Sequence, residues 1–136
     1  MSSPIILAVD TTDVNVASDW VRVTQEHIGV IKLGLEFYLA RGGEGVRIVR
    51  ASAPHLKLFL DLKLHDIPNT VAGAVRSVSD LQPDFLTVHA AGGAKMIENA
   101  AKALPEGAIT AVTLLTSLSE AEIASLGISG NSQEIV

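Results

Sequence analysis

The chain has 136 residues, 48% of them hydrophobic and 18% charged, with a net charge of −5 and a pI of about 5.2. That length suits one ordinary domain, and the acidic balance excludes a general nucleic-acid surface, which needs a basic stripe. No cysteine is present, so a disulfide frame and a thiolate metal site are both excluded.

No apolar run approaches the roughly 18 residues of a membrane span, so no membrane partner is expected. The opening MSSPIILAVD lacks a basic region followed by a long apolar core, which gives no signal peptide and a cytoplasmic location as the expectation. Residues 1–136 read as a single domain, without a linker or low-complexity run.

Ile5–Val9 is a continuous apolar run ending in Asp10 and predicts a strand buried on both faces. Asp13 suits the cap of a helix from Val14 to about His27, with Val16, Trp20, Val23 and Thr24 at helical spacing and Trp20 in an outer core layer. Gly29–Gly34 predicts a second strand with Lys32 near its end. Phe37–Ala51 predicts a second helix, weakened at Gly42, Gly43 and Gly45. Strand three begins after Pro54 and His55.

Pro68 fits the first turn of a helix reaching about Leu81, where its missing donor does no harm. Phe85–Ala90 is a fourth strand. Gly92–Gly93 reads as a turn opening a helix to about Leu104, since no phosphate-loop pattern surrounds it. Ala108–Leu115 is a fifth strand, with Thr116 and Ser117 at its end. Ser119 and Glu122 form a capping box for a short helix near 120–126, and Asn131–Glu134 begins another.

Strands alternate with helices throughout, which predicts an α/β fold with a parallel sheet and right-handed crossovers. Asp10, Lys32, Asp61 with Lys63, His89 and Thr116 then fall at strand carboxyl ends, on the rim where such folds build sites. The stretch Phe59–Thr70 is the most telling. It starts as an apolar strand and then places charges where a buried strand stays apolar. Asp61 and Lys63, two residues apart, share one strand face, and Asp66 follows just past the strand end. Charges there are costly unless they satisfy each other, so the stretch reads as a catalytic carboxylate–ammonium array.

Asp61-x-Lys63-x-x-Asp66, continued by Ile67-Pro68-Asn69-Thr70-Val71, closely resembles the signature of the orotidine 5′-phosphate decarboxylase family. Ala8-Val9-Asp10, Ile31-Lys32-Leu33-Gly34, Thr87-Val88-His89-Ala90 and Val112–Ser117 are similar to further family segments, in the family's order. The resemblance implies a TIM (βα)8 barrel of the ribulose-phosphate-binding type, of which this chain carries about the first five units. It implies conversion of orotidine 5′-phosphate (OMP) to UMP and CO2, the last step of pyrimidine synthesis, without metal, flavin or pyridoxal.

Carried over by position, Asp10 and Lys32 would bind ribose hydroxyls, with Lys32 also in the charge array. Asp61 would face the substrate carboxylate, and Lys63 would stabilise and protonate carbanionic C6. Asp66 and Thr70 would reach across a homodimer interface into the partner's site, Ile67 would line the substrate site, and Thr116 or Ser117 would contact the pyrimidine. Two alternatives stand beside this reading. One is a magnesium-dependent sugar-phosphate decarboxylase of the same suprafamily, which usually continues with small residues and glycine after Asp-x-Lys-x-x-Asp. The other is a catalytically silent half-barrel. The family's last strands and its phosphate-binding loop are absent from this sequence. His65 and His89 read as hydrogen-bonded supports, and His27 and His55 as surface residues.

Overall fold

A computed structural model describes residues 3–136. Met1 and Ser2, with which the signal-peptide reading opens, lie outside the described residues. Five strands, β1 (Ile6–Ala8), β2 (Val30–Gly34), β3 (Lys57–Leu64), β4 (Phe85–His89) and β5 (Ala108–Val112), form one sheet in the order β1-β2-β3-β4-β5. Every neighbouring pair is parallel. The helices between them are α1 (Val14–Thr24), α2 (Leu35–Ala51), α3 (Pro68–Val78) and α4 (Ala94–Ala103), followed by α5 (Glu120–Ser125) and α6 (Ser132–Ile135).

Local chemistry explains the boundaries. Asp13 caps α1 by accepting from the backbone N–H groups of Asn15 and Val16. Pro68 sits in the first turn of α3, and Ser119 with Glu122 completes a capping box on α5. Gly42 takes φ +61° and kinks α2, the weak point its glycines predicted. A 3₁₀ turn, Ala90–Gly92, leads through Gly93 at φ +83° into α4, so the paired glycines make a turn.

The sheet has two unlike faces. Ile31, Leu33, Leu58, Leu60 and Leu86 are wholly enclosed and pack in one core with Val21, Val46, Val49, Val75 and Met96 of the helices. Burying each such side chain stabilises by about 1.5–3 kcal/mol. The alternate residues point the other way. Ala8, Lys32, Phe59, Phe85 and Ala108 lie side by side across the sheet by register, and none of them is fully buried. The helices α1–α4 therefore lie on one face, and sequential strand order with one-sided helices is the arrangement of a βα-barrel arc. β1 and β5 are its two edges.

Three expectations change. β1 is not buried on both faces: Ile6 is exposed, because the inner face of this edge strand meets no second layer, and Ile5, just before the strand, is exposed as well. Trp20 is not outer-layer core; it is 41% exposed with Val16 and Val23 on one stripe of α1, which packs mainly on α2. β5 ends at Val112, so Thr116 and Ser117 lie in the loop beyond it. From Pro105 onward Ile123 is the one buried side chain.

Candidate active site

Three strands bring the charges together. Lys32 stands on β2, Asp61 and Lys63 on β3, and Thr87 on β4. The Lys63 Nζ is 2.8 Å from Asp61 Oδ1, and the Lys32 Nζ is 3.2 Å from Oδ2. Thr87 Oγ1 donates to Asp61 Oδ1 at 2.9 Å. Asp61's side chain is only 13% exposed, whereas Lys63's is 36% exposed, so the carboxylate is enclosed while the ammonium reaches open space. Burial works to raise the Asp61 pKa, but the hydrogen bonds from Lys63, Thr87 and Lys32 outweigh it and hold the carboxyl below its ordinary value.

Asp61 and Lys63 meet by more than simple alternation. The β3–β4 register runs Leu60↔Leu86 and then Leu64↔Val88, so β3 spends two extra residues against β4. Lys63 takes a left-handed backbone, φ +49°, within that irregularity. Its N–H donates to Thr87 Oγ1 at 2.9 Å instead of to a strand carbonyl. Such a conformation is unfavourable for a side chain other than glycine, asparagine or aspartate, and strain of this kind gathers at functional sites.

Above the array lies a cavity of about 450 Å³ lined by Lys32, Phe59, Asp61, Lys63, Thr87, Thr110, Val112 and 114–117. Phe59, edge-on to Phe85 with ring centroids 5.8 Å apart, gives it an apolar flank. The sequence-predicted residues Lys32, Asp61, Lys63, Thr116 and Ser117 are thus gathered around one cavity.

Asp10, Asp66, Ile67 and Thr70 are not among its lining residues. Asp10 and Thr70 are exposed. Asp66 accepts from the Ile67 N–H and, with Ile67, His65, Pro68, Ala91 and Gly92, borders a separate groove of about 520 Å³. His65 and His89 stack with ring centroids 5.3 Å apart. Burial, then the charges of His65 and Lys63, push the His89 pKa down, so the neutral imidazole is favoured. Among the described residues no three histidine, aspartate or glutamate side chains come together as a metal site.

Thr87, Phe59 and Val112 fall within segments named from the sequence but without a site role, and Thr110 is not named there. Strand parity could have found them. Phe85, Thr87 and His89 alternate on β4, and register sets Thr87 beside Thr110 and His89 beside Val112. Thr87 is the buried polar residue of the described chain, at 2% exposure.

The one-sided parallel arc, with a lysine–carboxylate centre toward its carboxyl rim, is the arrangement of part of a TIM-class barrel. Comparisons narrow the class. Residues 3–136 match the sequence model of the "Orotidine 5'-phosphate decarboxylase / HUMPS family", and the chain belongs to that family.

The orotidine 5′-phosphate decarboxylase of Thermobifida fusca is 52% identical over 136 residues, covering 100% of this chain and 58% of the relative. That of Novosphingobium aromaticivorans is 45% identical, over 98% of this chain and 59% of the relative. Among solved structures, orotidine 5′-phosphate decarboxylase from Lactobacillus acidophilus superposes with TM-score 0.83 at 29% identity, over 98% of this chain and 63% of its own. An uncharacterised conserved protein from Geobacillus kaustophilus gives TM-score 0.85 at 34% identity, over 97% and 65%. The chain thus spans about three-fifths of the length of these relatives.

Proposed function

We propose that the chain carries the catalytic half of an orotidine 5′-phosphate decarboxylase, which converts OMP to UMP and CO2. The observation that carries this reading is the Lys32–Asp61–Lys63 array on the flank of the cavity. Decarboxylation breaks the bond from C6 to the carboxylate, and the electron pair stays on C6 as CO2 leaves. That pair sits in an sp² orbital with no adjacent carbonyl to accept it. A fixed ammonium is the partner such a carbanion needs, and Lys63 can then deliver the proton that completes UMP. Asp61 keeps Lys63 charged and aimed. Lys32 and Asp10 serve the ribose hydroxyls, and Thr116 or Ser117 the pyrimidine edge.

The reading includes a cytoplasmic homodimer with shared sites. Asp66, Ile67 and Thr70 stand at or just before the start of α3, outside their own chain's cavity. Their exposure suits them to a partner's site. It also includes three further βα units, as the greater length of the relatives allows. These would pair the edges of β1 and β5 and supply loops for the substrate phosphate, which barrels of this class bind after strands seven and eight.

The test is OMP turnover, followed by the loss of substrate absorbance. It is run on the chain alone and on the chain joined to the remaining length of the Thermobifida fusca relative. Lys63-dependent turnover by the joined protein is expected, with none detectable from the chain alone. A folded joined protein that binds UMP yet leaves OMP untouched would remove the reading. A chelator arm separates it from a magnesium-dependent sugar-phosphate decarboxylase, because only the latter loses its activity in EDTA.

A further inference from the structure

We infer that Thr87 is a positioning residue for the Asp61–Lys63 centre, its one hydroxyl fixing both the carboxylate and the backbone that carries the ammonium. The kinetic part of this inference rests on the decarboxylase reading; the geometric part does not. Thr87 Oγ1 accepts the Lys63 N–H at 2.9 Å, and its own proton goes to Asp61 Oδ1, also at 2.9 Å. An ionised carboxylate only accepts and a backbone N–H only donates, so neither bond can reverse its sense.

The β3–β4 slip explains why the position calls for a hydroxyl. Two extra residues of β3 take the Lys63 N–H out of the regular ladder, and a backbone N–H shielded from water is destabilising without an acceptor. Thr87 supplies that acceptor. A valine would fill the same space on β4 but leave two polar groups short. Threonine is also stiff at χ1, so the oxygen is delivered at a fixed place. The residue is 2% exposed, and both hydrogen bonds of its side chain go to the two ends of Asp61-x-Lys63.

The test compares wild type, Thr87→Val and Thr87→Ser as the 136-residue protein, by NMR. The Asp61 carboxyl titration and the Lys63 amide shift are the readouts. In T87V Asp61 is expected to titrate at higher pH than in wild type and the Lys63 amide to move upfield, with T87S returning both toward wild type. Should T87V fail to fold, T87A takes its place at the same readouts.

In the joined protein that turns over OMP, T87V should lower kcat about 10–100-fold, as small misplacements near a reacting centre do, with KM changing much less. T87S should recover most of the loss. An unmoved Asp61 titration and Lys63 amide in the valine or alanine variant would overturn the inference. So would a serine variant as impaired as T87V, which would assign the effect to packing of the methyl group. Absence of OMP turnover in the joined wild-type protein would remove the decarboxylase reading and leave the two NMR readouts standing.

Discussion

Lys32 and Lys63 grip opposite oxygens of the same carboxylate, at 3.2 Å from Asp61 Oδ2 and 2.8 Å from Oδ1. Two cations from neighbouring strands are brought close by one enclosed anion. The anion is therefore the structural member of the trio, and each lysine is the more replaceable in stability.

Asp61→Asn should consequently cost more stability than Lys32→Met. The first leaves two cations with a neutral partner and should cost about 1–3 kcal/mol. The second removes one partly exposed pair and should cost less than about 1 kcal/mol. Urea denaturation at neutral pH reads both. Equal losses would mean that the carboxylate does not hold the trio together.

Lys63 has a chemical and a conformational signature. Lys63→Ala should abolish decarboxylation in the joined protein, by at least ~10²–10³-fold, and leave the fold intact. Lys63→Gly should be equally inactive but more stable than K63A by about 1 kcal/mol, because glycine accepts φ +49° without penalty. If K63A and K63G denature together, the left-handed turn does not survive without the lysine.

Asp66 tests the shared site. In the joined protein, mixing inactive Lys63→Ala with inactive Asp66→Ala should regenerate turnover, since in the proposed dimer a hybrid would contain one site with both groups intact. Demonstrated subunit exchange without recovery would show that each site is built from one chain.

His89 should make the fold sensitive to mild acid. Its folded pKa is depressed, so the unfolded chain binds the proton first as pH falls. The stability it contributes is present above the ordinary histidine pKa of about 6.5 and is lost as pH falls through the lower folded value. His65 and Lys63 are the charged groups facing it. The urea midpoint should drop between pH 7.5 and 5.5, and His89→Gln should flatten that drop. An identical slope in the variant would assign the pH dependence elsewhere.

Much of this was legible in the sequence because local chemistry and tertiary structure agree. The caps at Asp13 and Ser119, the Pro68 start and the five apolar strands each have a short-range cause. The Lys32–Asp61–Lys63 group followed from strand ends sharing one rim. What could not be read was set by long-range register. Parity puts Thr87 on the inner face, but its bond to the Lys63 N–H depends on the slip between Leu60 and Leu64, which no local pattern shows. The exposure of Ile6 and Trp20 was hidden for the opposite reason: their patterns are those of buried residues, and only the position of β1 and α1 at the edge of the arc leaves them uncovered. Asp10, Asp66, Ile67 and Thr70 had motif positions but no partners within reach of the cavity.

The two sides of the cavity differ in what stands behind them. Lys32, Asp61 and Thr87 are backed by fully enclosed leucines and isoleucine of β2–β4, while the side carrying Thr116 and Ser117 belongs to a stretch in which Ile123 alone is buried. Segments with few buried contacts open at low free energy. In this chain by itself the entropy of fixing the charged side is therefore spent on folding, and that of fixing the hydroxyl side falls due when a ligand or the further βα units cover it. A ligand that reaches Thr116 and Ser117 of the chain by itself would surrender part of its contact energy to stiffening them, so its affinity would understate the contacts it makes.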